Sequence, residues 1–273
     1  MRQRGVRQGL SRLRLYFRVW KVLAQASLTI QMSTRLASLG YLVGKLVRFG
    51  FFLVFLVAIF GHVREVAGYS LPEVVLFFMT FNLVDIGAQF LFRGIYGMKG
   101  LIRNGNFDHY LCKPISPLFR VSFHNTDFLD LVTLIPVISV TAWVLDKLPG
   151  PLRLGQILVY LFLVGCGILV AYGIHVIVAA IAIATQELDN TIWVYRDFMT
   201  LGRFPVDVYT KPVRFVLVYI VPIAVMTSFP AKGALGLLSP AGVFYSMAAA
   251  CILGIASLLA WRYCLRRFTS VSG

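Results

Sequence analysis

Residues 154–186 read LGQILVYLFLVGCGILVAYGIHVIVAAIAIATQ and contain no Asp, Glu, Lys or Arg. A helix needs about 20 mainly apolar residues to cross a hydrocarbon core of about 30 Å. At about 1.5 Å per residue, a helix over this stretch exceeds about 45 Å. It therefore crosses the membrane and must also tilt, bend or protrude. Gly165, Gly167 and Gly173 favour either a bend or close packing against a neighbouring helix.

Five further apolar runs accompany this one. Apolar residues make up 59% of the 273 residues and charged residues 14%, whereas about a quarter of a soluble domain is charged. A soluble fold is therefore excluded. The sequence predicts an all-α integral membrane protein with six transmembrane helices, preceded by an amphipathic interfacial N-terminal helix. The predicted spans are 44–61, 72–94, 128–145, 154–185, 213–230 and 240–261, within a transmembrane domain at 37–273.

The basic residues are distributed unevenly along the chain. The net charge is +15, and all but four of the 26 Lys and Arg residues fall in alternate loops and in the two terminal segments. The exceptions are Arg64, Lys147, Arg153 and Lys232. Because basic loops stay in the cytoplasm, this bias predicts cytoplasmic termini and cytoplasmic loops at about 95–126 and 186–212. Basic residues at the ends of apolar runs contact lipid headgroups, so nucleic acid is not an expected partner.

The N-terminal segment, residues 1–36, has the pattern of a helix that lies on a membrane. Its apolar residues share one helical stripe, at Leu10, Leu13, Phe17, Trp20 and Ala24, and basic residues flank that stripe. Such a helix places its apolar face among acyl chains and its cations at anionic headgroups. A signal peptide and an Arg-rich organelle transit peptide are the alternatives.

The predicted loop between the second and third spans contains the residues GNFDHYLCKPISPL at 105–118. Gly105 permits a tight turn, and Asp108 can cap a short helix near its positive end. Pro114 and Pro117 would stop that helix. The remaining apolar residues, Phe107, Tyr110 and Leu111, have the spacing of one helical face, which suits an aromatic anchor in a partner's pocket. A connector without a partner is the alternative interpretation.

This stretch resembles the G-x-[FL]-D-x-x-L-x-[KR]-P-[IV]-x-P-L segment of a bacterial group of type-2 ATP-binding-cassette permeases. The resemblance implies a short coupling helix that docks on a separate ATPase subunit. It also implies a bacterial plasma (inner) membrane location, two ATPase copies and a second permease chain, identical or homologous. The coupling residues it implies are Gly105, Phe107, Asp108, Tyr110, Leu111, Lys113, Pro114 and Pro117.

The second predicted inner loop, 186–212, mixes acidic residues with Ile192, Trp193, Tyr195 and Phe198. Aromatic residues of this kind sit at the headgroup level or face a partner. The segment is therefore expected to form an interfacial or partner-facing helix.

The chain has no nucleotide-binding motif of its own. The nearest approach to G-x-x-x-x-G-K-[ST] spans Gly40 to Leu46, with one residue too few between its glycines and Leu in place of Ser or Thr. The chain is thus expected to bind no cofactor, while ATP and magnesium bind the partner ATPase. The four cysteines and four histidines show no catalytic or metal-ligand spacing, so no metal site is expected.

Asp85 lies near the middle of the second span, where a carboxylate costs about 2.5–3.5 kcal/mol on insertion scales. Asn82 and Gln89 share its helical face, and Arg48 is the nearest basic candidate on an adjacent helix. These four residues are expected to line a transport path or to form a polar network that holds helices together.

The predicted function is that of a permease subunit in an ATP-binding-cassette exporter for an unidentified substrate. One alternative is an ion-coupled secondary transporter, which should contain internal repeats and more intramembrane charges than Asp85, Asp127 and Asp130. Another is an intramembrane lipid-modifying enzyme, which should carry clustered His, Asp or Cys near one membrane face. Neither signature is present.

Overall fold

The computed structural model describes residues 2–148, 153–185 and 189–269, and these ranges are helical without strands. The remaining residues of the predicted segments, Met1, 149–152, 186–188 and 270–273, lie outside the described residues. In chain order, the α-helices of the described ranges are α1 (Arg2–Ser33), α2 (Arg35–Phe60), α3 (Leu71–Phe92), α4 (Met98–Arg103), α5 (Asn106–Leu111), α6 (Pro117–Phe123), α7 (Phe128–Lys147), α8 (Leu154–Thr185), α9 (Asp189–Leu201), α10 (Lys211–Phe215), α11 (Ile223–Met226), α12 (Ser228–Ala234) and α13 (Pro240–Arg266).

Five of the described helical segments are long and apolar enough to cross a membrane. They are α2, α3 with its continuation to Arg103, α7, α8 and α13. These helices confirm the predicted spans at 44–61, 72–94, 128–145, 154–185 and 240–261. The fold class is therefore an all-helical membrane protein, as the apolar runs predicted.

The long helix α8 packs closely against α3, the segment 223–234 and α13. Two of its glycines allow this approach, because a Cβ on Gly167 would lie 2.9 Å from the carbonyl oxygen of Met226, and one on Gly173 would lie 3.0 Å from Leu253 Cγ. Gly165 has no atom within 4 Å of that position. Close packing, rather than a bend, therefore accounts for two of the three glycines.

The two ends of the helix bundle differ. At one end, here called the basic end, residues 93–127 form short helices, and Phe107 of this segment packs against Phe268, which follows α13. The other end, here called the opposite end, carries the loop 61–70. Gly236 also lies there, beside Gln156 near the start of α8.

The predicted fifth span, 213–230, is not a single membrane-crossing helix. Two helical limbs, Lys211–Ile220 and Ile223–Ala234, meet at an angle of 71°. The break lies at Val221, whose backbone is extended, and Pro222, which donates no backbone hydrogen bond. The first limb contains a π-helical turn at Val216–Ile220.

The contacts of Asp207 show that the first limb starts at the opposite end and that the second limb finishes there. Its backbone oxygen accepts a hydrogen bond from Arg214 of the first limb at 2.8 Å. Its carboxylate lies 2.6 Å from Lys232 of the second limb and accepts a hydrogen bond from Tyr69 at 2.9 Å. Because Tyr69 precedes α3 in the loop 61–70, the pair is a re-entrant hairpin, and the predicted fifth span is wrong.

The sixth crossing is made by α9 and the residues that follow it. The Tyr195 ring lies 4.9 Å from His175, which stacks on Tyr96 just beyond the end of α3. Asp207, twelve residues later, bonds to Tyr69 just before the start of α3. Because Arg196 pairs with Asp85 of α3, the chain from Tyr195 to Asp207 runs beside α3 from the level of Asp85 to its start.

The expectation that 186–212 forms one loop at the basic end is corrected by this arrangement. Hydropathy missed the crossing because α9 has only 13 residues and carries Arg196 and Asp197. A charge is tolerated inside the bundle where a partner exists, and Arg196 finds one in Asp85. Lys211 and Arg214 consequently belong to the opposite end.

Cysteine labelling tests this revised topology. The background is a variant without Cys166, Cys251 and Cys264, which keeps the exposed native Cys112 of the basic end. In this background, Lys211→Cys should react with a membrane-impermeant maleimide from the side of the membrane opposite to Cys112. Glu65→Cys, also exposed in the loop 61–70, provides the matched control for the opposite end. Reaction of Lys211→Cys from the same side as Cys112 would contradict the re-entrant hairpin.

Candidate functional site

Asp85 forms an ion pair in the interior of the bundle. Its Oδ1 accepts a hydrogen bond from Arg196 Nη1 at 2.6 Å, and its Oδ2 accepts one from Gln89 Nε2 at 3.0 Å. The carboxylate is buried, and the position is the fifteenth residue of the 22-residue α3. Two backbone segments distant in sequence, α3 and α9, are therefore joined by a charge-assisted hydrogen bond.

The three residues predicted around Asp85 have different roles. Gln89 bonds to Asp85 as its spacing suggested, whereas Asn82 donates to the backbone oxygen of Phe78 at 2.7 Å. Arg48 makes no ion pair with Asp85, so its selection as the nearest basic partner is corrected. The partner, Arg196, was missed because its segment was assigned to a loop outside the membrane.

A cleft opens beside this ion pair between α2, α3, α7 and α9, and it is here called the cationic cleft. Its wider part encloses about 540 Å³. The narrower part continues past Asp85 between phenyl rings, and the two parts share the side chains of Lys45, Arg48, Gln89 and Arg196. Asn82 and Arg203 also line the narrower part.

A second group of ion pairs ties the cleft to the basic end. Lys45 of α2 pairs with Asp130 and lies 3.8 Å from Asp127. Arg93, which follows α3, pairs with Asp127 and donates to the hydroxyl of Tyr41. Asp127 also caps α7 by accepting from the backbone N–H of Leu129 at 3.1 Å. The starts of α7 and of the 93–127 segment are thereby fixed to α2.

Two arginines of the cleft have no carboxylate partner. Among residues 2–148, 153–185 and 189–269, neither Arg48 nor Arg203 forms an ion pair. The guanidinium of Arg203 lies over the rings of Phe52 and Phe81, 5.6 Å from each centroid. The cleft therefore holds an excess of positive charge next to aromatic walls.

The 105–118 segment forms a short helix, as its residues predicted. Gly105 adopts a left-handed conformation with φ of 67°, and α5 begins at the next residue with Asp108 in its first turn. Pro117 occupies the start of α6, and the Ser116 hydroxyl caps that helix. The segment is held against α1, because the backbone N–H of Ser116 donates to the Tyr16 hydroxyl at 3.2 Å.

The two aromatic residues of this segment face inward, which corrects the prediction that they anchor a partner. Phe107 is 0% exposed and meets Trp261 and Phe268 edge-on, at centroid distances of 6.4 Å and 5.2 Å. Tyr110 is also buried, and its hydroxyl lies 3.0 Å from His124 Nδ1. Phe107 thus packs on this chain's own C-terminal helix, and Tyr110 packs on the end of α6.

The environment of His124 explains the second contact. Partial burial of the His124 ring, assisted by the nearby Arg120 guanidinium, lowers the pKa of His124. The ring is therefore neutral at pH 7, and one nitrogen can accept a hydrogen bond from Tyr110. Arg120 also lies 4.3 Å from the centre of the Tyr110 ring, so the inner face of α5 is fully occupied.

The outer face of the segment remains open to a partner. Its exposed residues are Asn106, His109, Leu111, Cys112, Lys113, Pro114 and Ser116. This set is here called the α5 outer surface. Three of the predicted coupling residues, Leu111, Lys113 and Pro114, belong to it.

Membrane-length helices with ion pairs gathered in their interior define a multi-pass membrane protein. A family model described as ABC-2 family transporter protein matches residues 46–272. The chain therefore belongs to the ABC-2 family as a membrane component, which confirms the resemblance read from the sequence. Permeases of this family generally pair with ABC ATPase subunits and typically lack an ATPase site. No curated protein and no solved structure matches the chain.

Proposed function

We propose that this chain is the permease subunit of an ATP-binding-cassette exporter that moves its substrate with energy from a separate ATPase. ATP and magnesium bind that partner, and this chain contributes the path and the coupling contact. Two ATPase copies and a second permease chain, identical or homologous, complete the assembly. Family membership supports this function over an ion-coupled transporter or an intramembrane enzyme.

The observation that carries the proposal is the physical connection between the α5 outer surface and the cationic cleft. The α5–α6 segment ends near Asp127, whose carboxylate pairs with Arg93 and lies near Lys45. Lys45 itself lines the cleft. A displacement of the segment by an ATPase would therefore act on side chains of the cleft through ion pairs.

The orientation follows from charge and from α1. We place the basic end, with both termini, in the cytoplasm of a bacterial cell, because basic segments favour that side. In α1, Leu13 and Phe17 are 68% and 64% exposed, as expected for side chains among acyl chains. Its later part is fixed to the basic end, where Gln31 Nε2 donates to the backbone oxygen of Thr126 at 2.9 Å.

The double variant Leu111→Asp with Lys113→Glu tests the coupling contact. Both side chains are exposed, so the fold should survive, while an apolar contact and a positive charge are lost from the interface. We expect at least tenfold weaker co-purification of the partner ABC ATPase subunit, or loss of ATP-dependent transport in vesicles.

The matched control is Leu237→Asp, because Leu237 is an exposed leucine, 59% accessible, at the opposite end. It should leave ATPase binding unchanged. If the double variant retained normal binding and coupling, the α5 outer surface would be a structural connector, and the proposed coupling contact would be wrong.

A further inference from the structure

Arg48 and Arg203 occupy an unusual position for cations without a carboxylate. Arg48 lies halfway along the 26-residue α2, and Arg203 follows α9 near the phenyl wall of the cleft. Charged side chains within membrane segments are expensive and normally pair with another group or mark an ion or substrate pathway. These two residues lack such a pair in the described residues, so the cleft lacks a counter-charge.

The other charges of the cleft do not supply that counter-charge. Asp85 is engaged by Arg196, Asp130 by Lys45, and Asp127 by Arg93. Among the described side chains, each of these three carboxylates therefore has a cation of its own, and the positive charges of Arg48 and Arg203 remain. An anion that entered the cleft would meet both guanidinium groups, that of the partly buried Arg203 and that of the exposed Arg48.

The walls beside these arginines are aromatic. The rings of Phe52 and Phe78 stack with centroids 4.2 Å apart, and Phe49 stacks on Phe78 at 5.7 Å. Phe81 continues the wall from Phe78 at 6.3 Å. A ligand with an apolar part next to its anionic group could bury that part against these rings.

We propose that the cationic cleft binds the anionic headgroup, phosphate or carboxylate, of an amphiphile whose apolar part lies along the phenyl wall. If the proposed transport function holds, an anionic amphiphile is the substrate class. Arg48 and Arg203 bind the headgroup, since guanidinium groups form charge-assisted hydrogen bonds with such oxygens. A second copy of the chain that supplied a carboxylate to the cleft is the competing explanation.

Trp193 provides a local reporter, because it lines the wider part of the cleft together with Arg48. The test uses the full chain with Trp20, Trp143 and Trp261 replaced by Phe, reconstituted in phosphatidylcholine vesicles. Brominated phosphatidylglycerol should quench Trp193 fluorescence at least twofold more than brominated phosphatidylcholine at the same mole fraction. Equal quenching by the two lipids would overturn the proposal. This is the result expected if a second copy of the chain already supplies a carboxylate to the cleft.

Substitutions then locate the preference. Arg48→Gln with Arg203→Gln should abolish the difference between the lipids, whereas Arg203→Lys, which keeps the charge, should retain most of it. The matched control, Arg262→Gln with Arg266→Gln, removes two exposed arginines of α13 and should leave the preference intact. A preference that survived in the Arg48 and Arg203 double variant would overturn the assignment.

A water-soluble competitor separates an amphiphile from a free anion. Glycerol 3-phosphate at millimolar concentration should not remove the preference, because it lacks the apolar part that contacts the phenyl wall. If glycerol 3-phosphate removed the preference for brominated phosphatidylglycerol, the amphiphile assignment would be overturned in favour of a small anion. These measurements need no ATPase, so their failure is distinguishable from a failure of the coupling contact at Leu111 and Lys113.

Discussion

Asp85→Asn should destabilise the folded chain by about 3–5 kcal/mol, because removing one partner of a buried ion pair leaves the other charge uncompensated. The charge left behind is the guanidinium of Arg196, 2.6 Å from the carboxylate in the native chain. Arg196→Gln should have a similar effect. The double variant should be less destabilised than the sum of the two, since it leaves no unpaired charge. Denaturant unfolding of the purified chain in mixed micelles measures all three changes.

Two controls distinguish this pair from general effects of charge removal. Asp197→Asn changes the exposed acidic neighbour of Arg196 and should alter stability by about 0.5 kcal/mol or less. Arg48→Gln combined with Asp85→Asn should give additive effects, because Arg48 makes no ion pair with Asp85. Coupling of Asp85 to Arg48 instead of Arg196 would show that the pairing described for α3 and α9 is wrong.

The long apolar helices could be predicted from sequence because hydrocarbon imposes one simple condition on them. A helix such as α8 must be about 20 apolar residues or longer, and its composition reports this directly. The five predicted spans that the structure confirms all satisfy that condition. Their partners within the bundle depend on side-chain shape, which one sequence does not reveal.

The segment from α9 to α12 could not be predicted in the same way. Its crossing can contain the charged Arg196 because Asp85, more than a hundred positions earlier in the chain, neutralises that charge. Its apolar part, 213–230, turns back at Val221 and Pro222, and Asp207 bonds to both limbs of the hairpin. Hydropathy sums the residues of a window, so it cannot register compensation between distant charges.

The coupling segment shows a related difference between pattern and placement. The spacing of Phe107, Tyr110 and Leu111 correctly indicated a helix with an apolar face. The spacing does not say which surface that face covers. In the structure Phe107 covers the C-terminal end of α13 and Tyr110 contacts His124 after α6, and only Leu111 of these residues is exposed. The partner contact must therefore involve the outer surface of the same helix.

Phe107→Ala tests this placement and should destabilise the chain by about 3–5 kcal/mol, the usual effect of truncating a buried phenyl ring. The ring is 0% exposed and contacts Trp261 and Phe268, so its loss leaves a cavity between α5 and the end of α13. We expect a lower melting temperature by circular dichroism and faster proteolysis of the C-terminal residues. Phe107→Leu, which refills part of the cavity, should recover much of the loss.

Leu111→Ala is the matched control, because Leu111 lies one helical turn later and is exposed. Its effect on stability should be about 0.5 kcal/mol or less, while its effect on ATPase binding should exceed that of any Phe107 variant that remains folded. The two residues thus separate the roles of the two faces of α5. If Phe107→Ala left stability unchanged and weakened ATPase binding, the ring would be a direct partner anchor, and the packing of α5 on α13 would be the wrong explanation for its burial.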